Sequence, residues 1–141
     1  MAHQTINFQL RGIEIAEISI KHPEKQLPVE CKFNMDINLQ QRIIGKENTI
    51  IVTPAITVKL DDDNFICSTV KVNFIFLVEN LDEFRKRDSE EFEIPEFFNT
   101  TINSVSLSTI RGIMYSHYKG TFLHNTILPI VNPGDFKKEK S

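Results

Sequence analysis

Apolar and polar residues alternate along most of the first half of the chain, and from Leu107 onward the apolar spacing changes to three and four. Ile6, Phe8 and Leu10 share one phase; Gly12 interrupts, and Ile13 and Ile15 are out of step with Ile18 and Ile20. Such a break predicts one strand in two halves, with a bulge or bend within 12–17. A loop follows at 22–28, marked by Pro23 and Pro28. Val29, Cys31, Phe33, Met35, Ile37 and Leu39 then alternate with polar residues as far as Gln40. A period of two this regular predicts a strand with one covered and one wet face, as antiparallel sheets have.

Gly45 to Asn48 reads as a connection, and residues 49–60 as a third strand with Ile50, Val52, Ile56 and Val58 on one face. Pro54 in its middle argues for an edge position or a bulge, because proline brings no N–H to a ladder. The acidic run Asp61-Asp62-Asp63-Asn64 lacks the spaced ligands and terminal Glu of a calcium loop and reads as a hairpin turn. A fourth strand over 65–78 becomes apolar on both faces from Phe74 to Val78, which implies cover on both sides there. Residues 80–96 are rich in Asp and Glu and read as an exposed, partly helical connection; Pro95, Phe97 and Phe98 return the chain to the core.

Leu107, Ile110, Met114 and Tyr118 mark an amphipathic helix beginning near Ser104. Lys119 and Gly120 suit its end, a cation at the negative pole and a residue free to take the left-handed conformation. Beyond it, residues 121–133 carry Phe122, Leu123, Ile127, Leu128, Ile130 and Val131, but Pro129 and Pro133 exclude a further helix or a central strand. An apolar segment of this kind must lie against its own helix or another chain. Four strands followed by one helix define an α+β class with an antiparallel sheet, and 141 residues without a linker fit a single domain over 1–141.

A net charge of −3 with scattered Lys and Arg argues against nucleic acid. The start lacks the basic and apolar regions of a signal peptide, and no apolar run reaches membrane-spanning length, so the expectation is a cytoplasmic protein without membrane insertion. Cys31 and Cys67 have neither CxxC spacing nor a third ligand and read as buried free thiols. No GxSxG, P-loop, dinucleotide or HExxH motif is present, and of the four histidines only His117 lies on the main helix. The residues thus favour a binding or assembly protein over an enzyme, with no cofactor and no metal.

The strings FQLRGIEIAEISIKHP, VECKFNMD, FIC at Phe65 to Cys67, and KGTF followed by LPIVNP, taken in this order, resemble the SecB family of export chaperones. The resemblance implies a four-stranded antiparallel sheet with the long helix packed on it, assembled as a homotetramer of two dimers. It implies ATP-independent holding of unfolded or export-bound clients in apolar grooves. Leu27, Val29, Phe33, Met35, Leu123, Ile127 and Leu128 match the groove positions, and Met114 adds an adaptable thioether beside them. The family docks on the SecA motor partly through carboxylates on the outer face of the sheet; Glu17 matches one, while Lys21 and Ser68 stand where further acids are expected. The last residues are a basic KKEK tail where the family carries a second helix and an acidic tail, so holding carries over better than delivery to SecA. Some SecB-like proteins serve an antitoxin instead, and an oligomeric structural subunit that consumes its apolar surface in self-assembly is the reading from another class.

Overall fold

The computed structural model of the chain describes residues 5–24, 27, 32–61, 64–87 and 89–130. Four strands, β1 (Phe8–Ile20), β2 (Phe33–Ile44), β3 (Thr49–Leu60) and β4 (Ile66–Val78), precede one long helix, α1 (Glu96–Tyr118). The strands form one antiparallel sheet in the order β1-β4-β3-β2, and α1 lies on one face of it, over β3 and β4. The α+β class with a four-stranded antiparallel sheet is therefore observed as expected.

Two irregularities keep β1 in phase. Its pairing with β4 shifts between Leu10 and Gly12 and again between Ile15 and Glu17, so Arg11 and Ala16 are each one residue too many for the partner strand. The second lies inside the expected stretch and the first just before it. Each extra residue restores the alternation, and Phe8, Leu10, Ile13, Ile15 and Ile18 fall opposite Val78, Phe76, Phe74, Val72 and Val70 on the helix-facing side.

Pro54 corrects a sequence expectation. It is buried in β3, which lies between β4 and β2 and is no edge strand. Pairing with β4 lapses at Thr53 and Pro54 and resumes at Ala55 in the same register, so no bulge is needed. The missing N–H falls in that gap, and Thr53 Oγ1 donates to Asn73 Oδ1 at 2.7 Å across it. The β3–β4 hairpin closes as foreseen, with Leu60 N–H on Phe65 O at 2.8 Å and Asn64 left-handed at φ 58°. Asp62 and Asp63 of the acidic run lie outside the described residues, as do Val29 and Cys31 at the expected start of the second strand.

The helix starts at Glu96, two turns earlier than its apolar stripe suggested. Its first half is rich in Asn, Ser and Thr, which are poor helix formers, and Thr101, Ser106 and Thr109 turn their hydroxyls onto the carbonyls four residues back. Packing holds it there: Phe98 and Ile102 are buried in the core and Phe98 meets Phe8 edge-on at 4.8 Å. The described residues of 80–96 are more closely packed than an exposed connection. Leu81–Phe84 form a 3-10 turn, Arg85 pairs with Phe92, and Leu81, Phe84 and Ile94 are buried. Arg85 lies over the Phe92 ring at 5.0 Å, and the ring closes on Gly45, where a Cβ would come within 2.8 Å of Phe92 Cζ.

The face of β4 turned away from the helix is half-covered: Ile75 and Leu77 are part-buried there, whereas Phe74, Phe76 and Val78 are closed in the core. No described helix is long and apolar enough to cross a membrane.

Candidate functional site

The end of α1 and the segment after it build the most distinctive surface of the chain. Met114 and Tyr118 enter the core from the last turns, and the Tyr118 hydroxyl donates to Ser68 Oγ at 2.6 Å. Burial pushes the Tyr118 pKa above its ordinary value; the Ser68 bond opposes that and the neighbouring Cys67 adds to it. Gly120 takes φ 79° as expected, and Thr121 caps the Tyr118 carbonyl through both its N–H, at 3.0 Å, and its Oγ1, at 2.7 Å.

From there the chain turns back along the helix as a strap. Phe122 sits between His22, at 4.7 Å, and Phe33, the first residue of β2, at 6.1 Å. Leu123 and Leu128 are fully buried, Ile127 between them is 58% exposed, and Ile130 is 91% exposed. Arg111 fastens the strap: Nε donates to Leu128 O at 2.8 Å and Nη2 to Pro129 O at 3.1 Å. Irregular backbone that buries two leucines cannot leave its carbonyls unmet, and the guanidinium fork meets two of them.

The sequence-derived residues thus divide. Met114, Leu123 and Leu128 belong to the closed core of the single chain. Leu27, Phe33 and Met35 are part-buried at its margin, Ile127 is exposed, and Val29 lies outside the described residues. Tyr115, Lys119, Thr121, His124 and Ile127 surround a shallow concavity at the helix end. Glu17 is exposed opposite Lys71, on the sheet face away from the helix. Ser68 is not on that face: it points inward, 1% exposed, onto Tyr118. The register makes the reason plain, since Ser68 pairs with Val58 and Ile20, both on the helix side. Arg111 was not foreseen; a lone cation on an otherwise uncharged stretch of helix, eighteen residues before Pro129, is the only trace it leaves in the sequence.

Neither a family model nor a curated protein matches the sequence. Among solved structures, the chain is similar to the SecB-like chaperone Rv1957 of Mycobacterium tuberculosis, solved in complex with a ChAD peptide from the Rv1956 HigA1 antitoxin. The two are 12% identical, with a TM-score of 0.63 over 88% of this chain and 90% of the other. The likeness is one of fold, and it gives the sheet and helix a class: this is a SecB-like α+β fold.

Proposed function

We propose that the protein is an ATP-independent chaperone, a holdase that keeps unfolded or export-bound polypeptides from aggregating on the apolar surface between β2 and the strap. The observation that carries this reading is the strap itself. Its Leu123 and Leu128 are anchored in the core while Ile127 is presented outward; Phe33 stands part-buried against the strap's Phe122, and Met35 and Leu27 are part-buried at the core margin. Apolar surface held in place by buried neighbours can bury part of a foreign chain without asking for a sequence. The SecB-like fold supports the same reading, and with it a place in the cytoplasm. A dedicated antitoxin client is the second form of the proposal, favoured by the similar Rv1957 structure, which holds an antitoxin peptide.

Assembly as a homotetramer belongs to the proposal. The helix-facing side of β1 leaves Phe8 40%, Leu10 38%, Ile13 48% and Ile15 49% exposed, next to a helix whose Phe97 is 60% exposed. A row of this length on an edge strand invites a second copy. Light scattering at micromolar concentration should give the mass of four chains; a monomer refutes the assembly. The test of function is aggregation of a chemically denatured client diluted into buffer without nucleotide. Stoichiometric protein should suppress it, and an unchanged aggregation rate refutes the holdase and leaves the structural subunit.

A further inference from the structure

The two edges of the sheet point their main chain outward in different ways. In an antiparallel strand the N–H and C=O of one residue face the same neighbour, and those of the next residue face the other. Asp61 N–H donates to Lys32 O at 3.0 Å, one step before Phe33 meets Leu60, so Lys32 faces β3. Leu60, opposite Phe33, turns the other way and donates to Phe65 O at 2.8 Å. From there the β2–β3 register runs without a shift to Ile44. Phe33, Met35, Ile37, Leu39, Gln41 and Ile43 therefore turn N–H and C=O away from β3. β2 ends the sheet, and no main-chain group among the described residues bonds them.

β1 ends the sheet on the other side and offers no such row. Glu79 N–H donates to Asn7 O at 2.9 Å, so Asn7 faces β4 while Phe8 and Leu10 face outward. The extra residues Arg11 and Ala16 then interrupt the pairing, and the next outward residues come as separate pairs, Ile13 with Ile15 and Ile18 with Ile20. Bulges blunt an edge against the addition of a strand, and β2 has none.

In side chains the contrast is reversed. Phe8, Leu10, Ile13 and Ile15 of β1 are 38–49% exposed, whereas the apolar row of β2 is part-buried. A lasting contact between subunits is built by burying apolar area, which β1 has to give. β2 has less area to give but an unbroken line of donors and acceptors, repeating about every 6.6 Å, which any extended main chain can meet.

We propose that the free edge of β2 takes an extended client segment as a fifth, antiparallel strand of the sheet. The inference rests on the polypeptide-binding reading above and specifies how the client is held. In antiparallel pairing, residues that bond each other carry their side chains on the same face. The client residues bonded to Met35, Ile37 and Leu39 thus lie on the helix-facing side beside that apolar row, and those between them lie beside the exposed Asn34, Asp36, Asn38 and Gln40. The favoured client is a proline-free segment, apolar at every second residue. Its main chain supplies affinity that asks for little sequence, and its alternation sets the register.

The test uses a fluorescent peptide of alternating leucine and serine and two N-methylated forms, one methylated at the leucine nitrogens and the other at the serine nitrogens. Both carry the same stiffening, but only the first loses the N–H groups that antiparallel addition turns toward β2. Wild type should bind the leucine-methylated form about tenfold more weakly than the serine-methylated one, the loss of at least one well-made hydrogen bond. Ile37→Pro removes one outward N–H and spares the β2–β3 ladder, while Ile37→Ala removes the side chain and keeps the N–H. The proline variant should bind the unmethylated peptide several-fold more weakly than the alanine variant. Equal binding of the two methylated forms, greater sensitivity at serine, or a folded proline variant that binds like the alanine variant overturns the added strand; should the proline variant not fold, the methylation ratio decides alone. A proline variant whose mass by light scattering drops, with wild type indifferent to the position of the methyl groups, assigns the edge to a second copy and overturns it too. Failure of wild type to bind even the unmethylated peptide overturns the polypeptide-binding reading itself.

Discussion

Replacing Leu123 and Ile127 one at a time tests whether the part of the strap that holds the fold is distinct from the part proposed to hold a client. Leu123 is 0% exposed and Ile127 is 58% exposed, four residues apart on the same segment. Leu123→Ala removes a closed-core side chain and should cost about 2–5 kcal/mol. With an m-value of about 1.5 kcal/mol/M in urea, a loss of ~3 kcal/mol moves the unfolding midpoint down by ~2 M, a large share of the stability of an ordinary domain. Full burial of an isoleucine is worth about 1.5–3 kcal/mol, and with more than half of this one in solvent its share is ~1 kcal/mol or less. Ile127→Ser should thus leave the midpoint within ~0.7 M of wild type while client holding falls, since the outward anchor is gone. Phe33→Ala should lie between them in stability, its ring being part-buried against Phe122, and should also weaken holding. The assay is urea unfolding followed by fluorescence or circular dichroism, beside aggregation of a denatured client normalised to folded protein. An Ile127→Ser protein that holds client as well as wild type, or one that loses as much stability as Leu123→Ala, refutes the division.

Tyr118→Phe leaves Ser68 Oγ buried without its donor and should cost about 1–3 kcal/mol in urea unfolding, with much of the loss recovered when Ser68→Ala is added. Because the folded-state pKa of Tyr118 lies above the ordinary 10.0, the folded protein keeps its phenol proton longer than the unfolded chain. Its contribution is complete below that pH and declines as pH rises from there through the folded pKa; wild type should lose stability in that window more steeply than Tyr118→Phe. Gly45→Ala drives a methyl to 2.8 Å from Phe92 Cζ and should cost about 1–3 kcal/mol, with Phe92→Leu relieving it in the double variant. Titration of the cognate SecA motor should give weak or no binding, given Lys21 and a buried Ser68 where acids were expected on the outer face; micromolar or tighter binding contradicts this.

Local periodicity by itself determined the strands, since a covered face writes its period of two into the sequence: Ile50, Val52, Ile56 and Val58 alternate because they share one buried side. It also determined the stripe Leu107, Ile110, Met114 and Tyr118, all buried, and the left-handed Gly120 that follows. Strand order was not local information, and Pro54 shows the cost: a proline penalises the ladder only where its N–H would point, and the gap opposite Val72 and Asn73 exists only once β4 is in place. The first two turns of α1 were hidden for a related reason, because Asn, Ser and Thr become helical there through packing of Phe98 and Ile102 rather than through propensity. Of the site, the sequence determined that an apolar strap follows the helix. Only the tertiary structure decided which of its residues are anchors and which are offered outward, because a leucine and an isoleucine on irregular backbone look alike until Arg111 fixes how the segment lies.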